Sequence, residues 1–197
     1  MIMDVEEIKK LLRITATTYD QEIQDLIPIV QRDLVDYLNN SFPDKQTTYL
    51  ASSIELNARS GTDAPTISDT EGQFEIEGFA VGMDIALENT YRNVGIYTLS
   101  GVSSDTLILS VTDTLMDEES TAEYGGRSIR ITRIYWPNAL KTYFAEMVWE
   151  KISRTRERGI TNKSLGPSAV TYAETGYGGY SSDLLAGLKK WKLQRMM

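Results

Sequence analysis

The 197 residues include neither histidine nor cysteine. That removes the commonest general base and transition-metal ligand, thiol nucleophiles, disulfides and zinc–thiolate sites together. Carboxylates, serines and one glycine-rich stretch remain. Glu75 and Glu77 lie two apart in a segment that alternates like a strand, so they share a face, as an acid/base or metal pair would. A solvated strand face is the simpler reading. Asp117-Glu118-Glu119 can attract a divalent cation but lacks the spacing and glycine of a calcium loop, and reads as a solvated acidic loop. The serines have no histidine to activate them, and neither G-x-S-x-G nor S-x-x-K occurs. In TGYGGYSSDLL, Gly176 and Gly178 match the first glycines of a dinucleotide fingerprint, but Ser181 replaces the third and too little chain follows for a second strand. No catalytic residue, metal or cofactor is expected. The chain does not read as an enzyme.

Cationic side chains offer binding instead. Arg154, Arg156 and Arg158 fall at the end of a long helical pattern, where each gains ~0.3–1 kcal/mol from the helix dipole. Glu150 stands at i, i+4 to Arg154. The same arginines form a patch suited to an acidic partner or DNA phosphate. Lys189, Lys190, Lys192 and Arg195 surround Trp191 and pose the same choice. Trp191 shares a face with Leu184 and Leu188, which favours packing into a partner's apolar groove over stacking on a base.

The net charge of −8 is uneven. Residues 1–46 carry 5 basic and 9 acidic side chains, residues 47–136 carry 5 and 14, and residues 137–197 carry 10 and 5. An acidic middle and a basic end argue against a nucleic-acid reader over the whole surface. They allow self-association in which the basic end of one copy meets acidic surface on another. No apolar run reaches the roughly 18 residues of a membrane span, and MIMDVEEIKK lacks a signal-peptide pattern.

Four helical stripes must position these groups. Asp4 caps a helix to about Arg13, with Val5, Ile8, Leu11 and Leu12 on one face. Thr18 or Asp20 caps a second helix to about Asn39, striped by Ile23, Leu26, Ile27, Val30, Leu34, Tyr37 and Leu38. Pro28 predicts a kink or a late start. Leu140, Tyr143, Phe144, Met147, Val148 and Ile152 stripe a third helix from Pro137 to a Gly159 cap. Residues 170–173 read as a strand, the glycines after it as a flexible hinge, and a helix capped by Ser181 or Ser182 follows, with Leu184, Leu185, Leu188 and Trp191 on its apolar side.

Between residues 48 and 134 the period changes to two. Strands are expected at 53–58, 73–77, 83–88, Gly95–Val102, 107–112 and 128–134. The expected fold class is α+β: a small helical bundle of N- and C-terminal helices, interrupted by an inserted antiparallel β barrel or sandwich, with an extended C-terminal arm. The expected domains are 1–46 with 137–197, and 47–136.

The opening VEEIKKLLRITATTYDQEIQDLIPIVQRDLVDYL resembles the start of tailed-phage head–tail connector proteins, the adaptor or head-completion family. The segment RERGITNKSLGPSAVTYAE, then SSDLLAGLKKWK, is similar to that family's ending. There a strand built like sLGdysvsY precedes a short helix. Ser164, Leu165, Gly166, Val170 and Tyr172 stand at the strand positions, and Asp183, Leu184, Leu185, Leu188 and Trp191 at the helix positions. The likeness covers residues 1–42 and 137–194, and the β insertion departs from compact members.

The resemblance implies a ring, twelvefold in the family, beneath the portal in the virion neck. Such a ring extends the DNA channel, lets genomic DNA pass without sequence-specific binding, and presents a surface to the next neck or tail protein. It implies assembly in the host cytoplasm and no membrane partner. Leu165, Gly166, Val170, Tyr172, Leu184, Leu185, Leu188 and Trp191 become the expected portal contact. Arg154, Arg156, Arg158, Lys189, Lys190 and Lys192 become the expected contact with DNA or an acidic partner. Two alternatives stay open: a tail-terminator-like protein on the tail tube, and a glycan-binding β module with Tyr91, Tyr97 and Tyr124 as aromatic candidates, Tyr97 alternating with core positions.

Overall fold

The computed structural model describes residues 1–119, 128–156, 162–165, 168–171 and 176–193. The chain is α+β and divides into two compact units. One comprises Ser41–Tyr135 with Met1; the other joins Ile2–Asn40 to Trp136–Met197.

In the second unit, α1 spans Val5–Leu12. Asp4 caps it reciprocally with Glu7: Glu7 N–H donates to Asp4 Oδ1 at 2.8 Å, and Asp4 N–H to Glu7 Oε2 at 3.2 Å. The buried face is Ile8 and the Lys9 stem, whereas Leu11 is exposed. The expected stripe is therefore rotated, because the Lys9 ammonium turns in to meet Asp20 at 2.7 Å. A 3₁₀ turn, Thr17–Tyr19, leads into α2, Asp20–Leu38. Tyr19 occupies the N-cap with no side-chain bond, so neither Thr18 nor Asp20 caps the helix: the 3₁₀ turn takes the Asp20 N–H, and Lys9 holds its carboxylate. The helix runs unbroken past Pro28, which is exposed, while Ile23, Ile27, Val30, Leu34 and Leu38 are buried. It ends on Asn39 in the left-handed region.

Helix α3, Asn138–Arg156, buries Leu140, Phe144, Met147, Val148 and Ile152 completely. The Lys141 ammonium reaches back to Glu7 Oε1 at 3.0 Å, tying α3 to α1. The proposed Gly159 cap lies outside the described residues. Helix α4 is Ser182–Leu188.

The first unit is an eight-stranded antiparallel sheet curled into a half-barrel, ordered β1-β8-β4-β5-β6-β3-β2-β7. Its strands are β1 (Pro43–Ala51), β2 (Glu55–Asn57), β3 (Thr66–Ser68), β4 (Asp84–Glu88), β5 (Gly95–Val102), β6 (Thr106–Leu109), β7 (Glu118–Glu119) and β8 (Ile129–Ile134). Ile85, Leu87, Tyr97, Leu99, Leu107 and Leu109 point into its core, as their alternation predicts. The expected strand at 73–77 is instead a turn, with Glu77 N–H on Gln73 O at 2.9 Å and Phe79 N–H on Phe74 O at 3.1 Å. Phe74 is buried and Ile76 lies 80% exposed, so Glu75 and Glu77 do not form a strand-face pair. Among the described residues of the other unit, β9 (Asn162–Leu165) pairs antiparallel with β10 (Ser168–Thr171). The strand expected at 170–173 thus starts earlier and has a partner; residues 172 and 173 lie outside the described set.

Candidate partner-binding surface

The C-terminal segment is seated on α2 and α3 by a polar network. Asp33 Oδ2 receives the Tyr180 hydroxyl at 2.8 Å and the Lys151 ammonium at 3.0 Å. Lys151 Nζ also donates to Gly178 O at 3.1 Å and lies 4.9 Å from the Tyr180 ring centroid. Burial, then the bond to Asp33, pushes the Tyr180 phenol far above its ordinary range. Glu150 receives both polar hydrogens of Ser181, its backbone N–H at 2.8 Å and its hydroxyl. Ser181 is the N-cap of α4 by position, yet its hydroxyl serves Glu150 rather than the helix. Glu150 also lies 3.7 Å from Arg154, the expected i, i+4 pair.

These contacts overturn the hinge and, for residues 176–193, the extended arm. Tyr180 is fully buried, and two of the hinge glycines are closely approached, Gly176 by Leu185 and Gly178 by Tyr180. A Cβ on Gly187 would lie 2.4 Å from Tyr143 Cε1, and Gly178 sits at φ 64° with the Tyr180 ring beside it. Leu184, Leu185 and Leu188 are buried in this unit. They fill their own core, so they can reach a partner only if α4 leaves its seat. Tyr37 OH donates to Leu185 O at 3.1 Å, Asn40 Nδ2 to Trp191 O at 3.2 Å, and Leu193 N–H to Leu38 O at 2.9 Å.

Lysines face outward past the end of α4. Lys189, Lys190 and Lys192 are exposed. Lys190 Nζ stands 4.1 Å from the Trp191 ring centroid and 5.7 Å from that of Tyr143, and Lys192 Nζ 4.4 Å from that of Tyr37. Trp191 packs edge-on to Tyr143 with centroids 5.4 Å apart. The indole is half-buried within its own unit. Tyr37, Tyr143, Asp33 and Glu150 have roles that stripe-reading missed, since it assigns a helical residue to a face but not to a partner.

Arg156 ends α3, and Leu165 and Val170 lie on β9 and β10, opposite Ser168 and Lys163. Arg158, Gly166 and Tyr172 lie outside the described residues.

The acidic loop reading at 117–119 also changes. Glu118 is buried and accepts from Tyr91 N–H at 2.7 Å, Arg92 N–H at 3.3 Å and Asn93 Nδ2 at 2.9 Å. Asp117 accepts from Ala58 N–H at 2.7 Å. Both carboxylates are occupied by amides, which is structural chemistry. Among the described residues no group of three or more acidic side chains is placed to hold a metal ion. Tyr97 is buried with its hydroxyl on Asn93 O at 3.0 Å, Tyr91 is exposed, and Tyr124 lies outside the described residues. No described helix is long and apolar enough to cross a membrane.

Lys190 and Lys192 thus stand outward over aromatic rings of their own unit. Residues 2–68 match the family described as Phage gp6-like head-tail connector protein, a segment that holds α1, α2 and β1–β3. The match covers about a third of the chain, and over that segment the chain is similar to the phage head–tail connector family. No curated protein matches the chain.

Proposed function

We propose that the protein is an adaptor of the phage neck: a ring below the portal that extends the DNA channel and joins the head to the next neck or tail protein. The observation that carries this reading is the family match over 2–68. In it the helices of 1–46 and 137–197 form the connector domain and 47–136 is a β domain inserted between them. The proposed portal contact is Leu165, Gly166, Val170 and Tyr172, together with Leu184, Leu185, Leu188 and Trp191 once α4 leaves its seat. The role asks for no catalytic chemistry, which agrees with the lack of histidine and cysteine. The acidic balance of the chain suits passage of DNA without retention, since tight phosphate binding needs basic residues and released counterions.

Deletion of the gene tests the role. Particles made without the protein are expected to lose DNA and to lack tails. Normal tailed particles from the deletion would refute it.

A further inference from the structure

Residues 70–82 of the β unit form a loop that is anchored behind and carries Ile76 outward among carboxylates. Phe74 and Phe79 are buried with ring centroids 6.1 Å apart, and Phe74 meets Tyr49 at 4.9 Å. Gly82 N–H donates to Leu99 O at 2.8 Å, and the internal turn bonds fix the path between. At the loop's root the buried Asp69 accepts from Tyr49 OH at 2.7 Å and from Glu71 N–H at 3.0 Å. A loop so anchored nevertheless holds Ile76 80% exposed, between two exposed carboxylates, Glu75 and Glu77. A single exposed aliphatic is ordinary on a protein surface, and it is the flanking pair of carboxylates on an ordered turn that gives this tip a distinct chemistry.

The matching chemistry lies in the C-terminal segment. Lys189 and Lys190 are exposed, and beyond them Leu193 is 53% exposed. Cation–π contact holds Lys190 in place without neutralising it. One surface is an apolar tip flanked by anions; the other is an apolar tip beside cations.

We propose that Ile76, with Glu75 and Glu77, docks on Lys189, Lys190 and Leu193 of a second copy of this chain. The contact joins different surfaces of identical chains, so it repeats head to tail and closes as a ring when the rotation allows. The inference rests on the connector reading and specifies its self-contact. Opposite charges speed the encounter and salt weakens it.

Charge reversal in the full chain tests the pairing. Self-association is read by sedimentation at low salt, alone and with purified portal, for wild type, Glu75→Lys/Glu77→Lys, Lys189→Glu/Lys190→Glu and the fourfold combination. All four positions are exposed, and circular dichroism confirms the fold. Each double reversal is expected to weaken association by about tenfold or more, and the combination to restore it. Equal association of a double reversal, a fourfold variant that stays dissociated, or a wild type monomeric under both conditions overturns the proposal. If the loop-reversed chain assembles normally but fails to join the tail protein, the occupant is another virion protein and the second-copy assignment is overturned. If it assembles normally on portal, the docking assignment fails while the connector reading stands.

Discussion

Tyr180 Oη lies 2.8 Å from Asp33 Oδ2, and this one bond joins a residue just ahead of α4 to the middle of α2. The carboxylate is shared with Lys151 of α3, so a single oxygen gathers two helices and the C-terminal segment. Removing the hydroxyl in Tyr180→Phe is expected to cost about 1 kcal/mol, and emptying the site in Tyr180→Ala about 3–5 kcal/mol. Trp136, Trp149 and Trp191 all belong to the helical unit, so urea unfolding followed by tryptophan fluorescence reads this unit selectively.

Gly187 meets the Tyr143 ring at a distance that leaves no room for a methyl group. Gly187→Ala is expected to destabilise the helical unit by about 1–3 kcal/mol, although alanine is the better helix former. The same urea titration checks it, and an unchanged midpoint would show that α4 is not held against Tyr143.

Glu7 gives the helical unit a dependence on acid. The bond from Lys141 is the main influence that holds its carboxyl below the ordinary range, with the bond from the Asp4 amide also lowering it. A lowered acid pKa contributes stability above the unfolded value, and the contribution is lost as pH falls through the folded one. The helical unit should therefore weaken from roughly pH 4.3 downward. Glu7→Gln keeps an acceptor for the Asp4 amide and should flatten that part of the stability–pH curve, measured by urea midpoints across acidic pH.

Glu118 makes the corresponding prediction for the β unit. Glu118→Ala would strand the amides of Tyr91 and Arg92 and the Asn93 side chain, at about 3 kcal/mol. A thermal melt followed by circular dichroism checks this, with loss of sheet signal at lower temperature as the expected result.

The helical stripes were legible because burial repeats with the helix period: of the third stripe Leu140, Phe144, Met147, Val148 and Ile152 are core, and Tyr143 is half-buried against Trp191. The exception in α1 has a definite cause: Leu11 is exposed because Lys9 turns inward to Asp20, a partner that spacing does not reveal. Strands β4, β5, β6 and β8 were legible through alternation. Strand β1 was not, since Pro43, Asp44 and Lys45 have low strand propensity and the strand lies at the sheet edge. Strands β3 and β7 are too short to show a period. The false strand at 73–77 arose because Phe74 and Ile76 alternate, yet one anchors a turn and the other caps it outwardly. At the C-terminal end composition misled in a similar way: of the glycines read as a hinge, Gly176 and Gly178 fit closely against Leu185 and Tyr180. Glu118 read as solvated because its donors, at residues 91–93, are remote in sequence.

The central claim is that this chain connects head to tail as a ring on the portal. Electron microscopy of purified portal mixed with the full-length protein tests it most directly. The account predicts an added ring of density on the portal's tail-facing end, lost when residues 162–171 are replaced by a neutral linker. Portal that remains bare at saturating protein would contradict it.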